Sequence, residues 1–191
     1  MLKSLLEWDR DTFVYLNNLG IEEYDLFWTT VTNFPTWIPL FILFIVLIFK
    51  KYPKKEALYV LLTIVAMILF VGAFTDMVKH YVARLRPNNT EEINTIIRIL
   101  KSPNTYSFFS GHAASSFSVT TIVVLFLRKR FKWVWIFYVW PFLFAASRIF
   151  VGVHYPVDII VGAMVGVTCA ISFYKMYKRV IVPYLGLNHL E

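Results

Sequence analysis

The chain has 191 residues, 58% of them hydrophobic, 18% aromatic and only 16% charged, whereas soluble domains carry about a quarter charged residues. Too few polar side chains remain to coat a soluble bundle of buried helices. The net charge of +7 falls in clusters that bespeak membrane topology and argue against a nucleic-acid partner, and the single cysteine, Cys169, excludes an internal disulfide.

Residues 1–33 carry Lys3 and Arg10 against Glu7, Asp9, Asp11, Glu22, Glu23 and Asp25. Among them Leu5, Leu6, Trp8, Phe13, Val14 and Leu16 recur at rough helical spacing. The pattern predicts one or two amphipathic helices lying in the membrane interface, anchored by Trp8 and Trp28. The acidic opening lacks an apolar core of the length a cleavable signal peptide needs. Five apolar stretches follow: Phe34–Phe49, Ala57–Phe74, Ala113–Leu127, Trp133–Val153 and Val157–Tyr174. A spanning helix takes about 20 apolar residues. The second, fourth and fifth stretches meet that directly. The first and third do so if Asn33, Lys50 or the Ser-Gly-His before Ala113 sits at the interface. A sixth span from "LFWTTVTNFPTWIPL" is the alternative, weakened by its two prolines.

The expected fold is an all-α integral membrane protein. It is a helical bundle of about five transmembrane helices over residues 34–182, six at most, plus amino-terminal interfacial helices over 1–33, in a single domain 1–191. Leu190-Glu191 reads as a cloning remnant. Lys50, Lys51, Lys54 and Lys55, then Arg128, Lys129, Arg130 and Lys132, then Lys175, Lys178 and Arg179 all fall on one side of a five-span bundle. The positive-inside rule makes that side cytoplasmic.

Three polar clusters share the opposite face. In "KHYVARLRP" Lys79 and Arg86 are seven residues apart, about two helical turns, so a continuing helix puts both on one face, converging on an anion. His80 and Arg84 then point elsewhere, to the interface. In "FFSGHAASSF" Ser110 and Gly111 precede a helix start, whose free N–H groups favour anions. In "SRIFVGVHYPVDIIVGAM" Pro156 suits a first helical turn, so His154 lies just outside it and Asp158 within reach of the His154 ring. A charge in an apolar segment costs roughly 3 kcal/mol and usually marks function. Each cluster alone also has an ordinary explanation: a basic flank, a serine cap, a structural Arg148–Asp158 ion pair.

Together the clusters supply cations, N–H donors, two histidines and one carboxylate. No acidic group suggests magnesium or calcium, and two histidines without further ligands argue against zinc. The inventory fits phosphoryl transfer without a metal or other cofactor.

K-x6-RP at Lys79–Pro87, SGH at Ser110–His112 and SR-x5-H-x3-D at Ser147–Asp158 resemble the tripartite signature of the type 2 phosphatidic acid phosphatases. These membrane enzymes share their site with vanadium haloperoxidases. The resemblance implies a helical bundle and catalysis through His154 as nucleophile, oriented by Asp158, with His112 as proton donor and then base. It implies a phosphate site of Lys79, Arg86, Ser110, Gly111 and Arg148, and no metal. Phe109 stands where the family commonly has proline, and many relatives have six spans.

The expected function is hydrolysis of a lipid phosphate or diphosphate: undecaprenyl diphosphate, phosphatidylglycerol phosphate or phosphatidic acid. A lipid A phosphatase or a lipid-to-lipid phosphotransferase would use the same site, and an anionic-lipid transporter or binding protein is the non-enzymatic alternative. The expected location is a bacterial inner membrane, with the site facing the periplasm. The loop Asn88–Phe108 is the expected specificity element, with Arg98 and Lys101 as candidate contacts to a second phosphate. A homodimer through "GAMVG" is a further option, against close packing inside the bundle.

Overall fold

The computed structural model describes residues 2–186; Leu190-Glu191 lie outside them. Two helices open the chain, α1 (Leu2–Asn18) and α2 (Asp25–Val31). Then come α3 (Ile38–Lys51), α4 (Lys54–Val82), α5 (Gly111–Leu127), α6 (Val139–Phe150), α7 (Pro156–Met176) and the short α8 (Val182–Tyr184).

Among the described residues four helical segments are long and apolar enough to cross a membrane: Phe34–Lys51, Lys54–Asn89, Lys132–Phe150 and Pro156–Tyr184. The sixth-span alternative does not form. The α2 helix stops after 7 residues, Asn33 turns extended, and a 3-10 turn through Pro35 leads directly into α3.

The remaining expected span, the third stretch Ala113–Leu127, is α5, only 17 residues long. Most of its residues are buried, serines and threonines included, the mark of a central helix, and α3, α4, α6 and α7 all pack on it. The closest approach is to α7. A Cβ at Gly162 would fall 2.5 Å from the Ser110 carbonyl oxygen, and one at Gly166 would fall 2.3 Å from that of Ala114. The GxxxG motif is therefore spent inside the bundle. Gly166→Leu should force α5 and α7 apart and destabilise the protein by about 1–3 kcal/mol. Thermal unfolding in detergent checks this, and an unchanged midpoint would contradict the contact.

Three basic clusters gather at one end. The Tyr52 hydroxyl, between α3 and α4, donates to the Phe126 carbonyl near the end of α5 (2.8 Å), and the Tyr177 ring beyond α7 packs 4.9 Å from that of Phe126. At the other end α1 packs against α6 and α7. Its buried stripe is Asp9, Phe13 and Asn17, four residues apart and so on one face. The predicted apolar set is divided: Phe13 is buried against the bundle, while Leu5, Leu6 and Trp8 remain exposed, which suits contact with a membrane surface.

The loop after α4 is pinned over this end. The Asn17 side-chain amide donates to the Arg98 carbonyl (3.1 Å) and the Ile149 carbonyl (2.8 Å), and accepts from the Arg98 N–H (2.7 Å). Gly152, at φ +82, makes the α6–α7 turn, where a Cβ would lie 2.5 Å from the Arg98 carbonyl oxygen. Glycine is the residue that tolerates both the angle and the approach.

Candidate active site

Helix α4 ends at Val82, because Ala83 adopts the left-handed conformation (φ 51). Lys79 and Arg86 therefore do not share a helical face, which corrects the expectation from their spacing. Arg86 instead lies in extended backbone. Its guanidinium donates to the Thr105 carbonyl (2.6 Å), the Thr105 hydroxyl (2.9 Å), the Val153 carbonyl (3.0 Å) and His154 Nε2 (3.1 Å). Lys79 comes from the last turn of α4 and is buried. It lies close enough to Arg86, Arg148 and Asp158 to feel their charges.

The second element is a helix start. Ser110 caps α5, its Oγ accepting from the Ala113 N–H (3.4 Å), while its own N–H donates to the Asp158 carbonyl (2.9 Å). A Cβ at Gly111 would meet only Thr75. The His112 ring sits between those of Phe34 (5.2 Å) and Phe144 (5.1 Å). Arg148, His154, Lys79 and Arg86 all act on it electrostatically.

The third element places His154 and Asp158 together. Asp158 Oδ2 stands 3.5 Å from His154 Nδ1, accepts from the Tyr155 N–H (3.0 Å) and takes a short hydrogen bond from the Ser107 hydroxyl. Ser107 Oγ also lies 3.3 Å from His154 Nδ1. These contacts fix the tautomer. A guanidinium only donates, so Nε2 beside Arg86 must be the unprotonated nitrogen, and Nδ1 carries the hydrogen toward Asp158. Burial, then the charges of Arg86, Arg148, Lys79 and Arg84, hold the His154 pKa well below that of a free histidine. The imidazole is neutral at neutral pH, with its lone pair aimed at the cations.

Arg148, at the end of α6, does not pair with Asp158. Its Nη1 donates to the Thr32 hydroxyl, and its Nε is buried without a partner. Among the described residues, Lys79, Arg86 and Arg148 make no ion pair with a carboxylate. Three buried cations so arranged are costly unless an anion neutralises them. A cavity of about 490 Å³ opens beside Arg148 and His112, lined also by Thr32, Asn33, Lys101 and Ser102 among others. Lys101 thus lies on the His112 side of the site. Arg98 does not, because both oxygens of Asp25 bind it at 2.6 Å. Among the described residues no three His, Cys, Asp or Glu side chains are grouped to hold a metal.

Sequence reasoning missed Ser107, Thr32 and Arg84. Continued helical geometry points Arg84 to the interface, yet it bridges Asp158 and Asp9, each at 2.7 Å. The turn at Ala83 redirects it, and no local signal in "VARLRP" announces that turn.

The chain is similar to several known proteins. The lipid A 4'-phosphatase of Bacteroides thetaiotaomicron is 29% identical over 171 residues, covering 87% of this chain and 75% of that protein. The undecaprenyl-diphosphatase of Sulfolobus acidocaldarius is 35% identical over 131 residues, covering 68% of this chain and 58% of that protein. The transmembrane PAP2-type phosphatidylglycerolphosphate phosphatase from Bacillus subtilis superposes with a TM-score of 0.72 at 20% identity, over 93% of this chain and 88% of its own. That last likeness is one of fold. The model of the PAP2 superfamily matches residues 57–181, most of the chain and all three polar clusters, and so the chain belongs to the PAP2 superfamily.

Proposed function

We propose that this protein is a metal-independent phosphatase that hydrolyses the phosphate ester or diphosphate of a membrane lipid through a phosphohistidine on His154. One observation carries the reading: Arg86 meets the unprotonated Nε2 of a neutral, buried histidine, and two further buried cations without carboxylate partners, Lys79 and Arg148, lie near enough to act on it. A phosphoryl group supplies the missing negative charge.

A bound phosphoryl oxygen would replace Nε2 as acceptor for Arg86, freeing the lone pair. Lys79, Arg148, Ser110 and the Gly111 N–H hold the remaining oxygens and stabilise the charge that spreads over them in the transition state. Nε2 attacks phosphorus as the bond to the leaving oxygen breaks, and His112 delivers a proton to that oxygen. Asp158 stabilises the His154 ring, which is cationic once phosphorylated. His112, now neutral, takes a proton from water as the water attacks phosphorus. Inorganic phosphate leaves and His154 regains its lone pair.

The lipid part of the reading rests on a second cavity. About 390 Å³ in volume, it lies among α3, α4 and α5 and is lined by apolar side chains such as Phe34, Phe41, Ile45, Ile64, Ile68 and Val119. Phe34 lines both cavities, so a headgroup in one can lead to a tail in the other. The site stands at the end away from the basic clusters, which supports a periplasm-facing site in a bacterial inner membrane.

Undecaprenyl diphosphate, phosphatidylglycerol phosphate and phosphatidic acid are the first substrates proposed. Lipid A is the second reading, favoured by the breadth of the match to the Bacteroides phosphatase. Phosphate release from these four lipids by the purified protein, in detergent with EDTA, tests the proposal. Release should survive the chelator. Loss of activity with EDTA would overturn metal independence, while a phosphorylated acceptor lipid without free phosphate would mark a transferase. Failure with all four would favour an anionic-lipid binding or transport protein.

A further inference from the structure

A buried bridge reaches the site from outside the matched family region, residues 57–181. Asp9, on α1, is fully buried. Its Oδ2 accepts from Arg84 Nη2 at 2.7 Å and its Oδ1 accepts from the Val157 N–H at 2.8 Å. The other arm of the same guanidinium, Nη1, donates to Asp158 Oδ1 at 2.7 Å. Arg84 also lies over the Tyr155 ring, 4.0 Å from its centroid, and the Phe13 ring of α1 meets Tyr155 edge-on at 5.4 Å. The segment from His154 to Asp158 is thereby held by α1 in three ways: through its backbone at Val157, through Arg84, and through the Tyr155 ring.

We infer that Asp9 and Arg84 are positioning residues for the His154–Asp158 pair, holding the Asp158 carboxylate in place. The charge count gives the reason. One guanidinium is shared by two carboxylates, so the trio keeps a net charge of −1 beside His154. If Asp9 were neutral, Arg84 would be matched by Asp158 alone, leaving less negative charge to stabilise the cationic phosphohistidine. Orientation matters as well. With Oδ1 fixed by Arg84, Oδ2 is the oxygen presented to His154 Nδ1, Ser107 and the Tyr155 N–H. An anchor holding α1 to the bundle would need none of this coupling to the reacting histidine.

The inference rests on the proposed phosphatase reading, and one set of assays separates the two. Wild type, His154→Ala, Asp9→Asn and Asp9→Glu are compared as monodisperse full-length protein, with kcat and KM read separately from phosphate release. Asp9→Asn should lower kcat roughly tenfold, the rate equivalent of a lost charge-assisted hydrogen bond, with KM little changed. Asp9→Glu should recover most of the loss. A folded Asp9→Asn with the kcat of wild type would overturn the positioning role and leave the phosphatase intact. A wild type that releases no phosphate would instead remove the phosphatase reading, and this inference with it.

Charge coupling at Arg84 gives a second, independent readout. Arg84→Met strands two buried carboxylates side by side, so adding Asp9→Asn to it should raise kcat relative to Arg84→Met alone. A double variant no faster than the single one would overturn the inference.

Discussion

His154→Ala should lower kcat by about 10⁴-fold or more, the scale seen when a covalent nucleophile is removed. The phosphate site should persist, because Lys79, Arg86 and Arg148 come from α4, the segment after it and α6, and none is held through the imidazole alone. Arg86 keeps three other acceptors, the two Thr105 oxygens and the Val153 carbonyl. KM should therefore change far less than kcat. Steady-state phosphate release checks both numbers. A variant within tenfold of wild-type kcat would mean that His154 is not the nucleophile.

His112→Ala should produce the second-largest loss, about 10²–10⁴-fold on a lipid substrate, the usual range for removing a positioned acid–base group. Its effect should depend on the leaving group. A lipid alcohol or a saccharide hydroxyl leaves poorly without a proton, whereas a nitrophenolate needs little help. With an aryl phosphate the first step should survive and hydrolysis of the phosphoenzyme should become limiting, because the water has lost its base. Rapid-mixing measurements should then show a burst of phenolate followed by slow turnover. Equal losses on both substrate types, without a burst, would assign His112 to binding instead.

Local rules made part of this site legible. Ser110 as a cap, Pro156 in a first turn and Asp158 one turn from His154 follow from helix-terminus chemistry, and each stands where expected. Apolar run lengths likewise marked four of the five expected spans, which form helical segments long enough to cross a membrane, whereas the third stretch forms the shorter α5. What failed depended on tertiary structure. Ala83 sits in a left-handed conformation that costs a residue other than glycine about 1–2 kcal/mol locally, so a reading by propensity continues α4 to Pro87. Structure beyond the helix, in which Arg84 reaches two carboxylates and Arg86 reaches Thr105 and Val153, compensates for that cost. Asp9 was equally hidden. Counted only as one of the amino-terminal acids, it lies in a four-residue series with Phe13 and Asn17 that marks the face α1 buries.

Covalent catalysis by His154 is the center of this account, and trapping the intermediate tests it most directly. Wild type and His112→Ala would be mixed with radiolabelled phosphate ester, quenched in alkali within the burst, and digested for peptide mapping. The account predicts label on the peptide bearing His154, stable to base and released by acid as a phosphoramidate should be, with more retained in His112→Ala and none in His154→Ala. Label on the peptide bearing His112, or turnover with no trapped label in either protein, would contradict it.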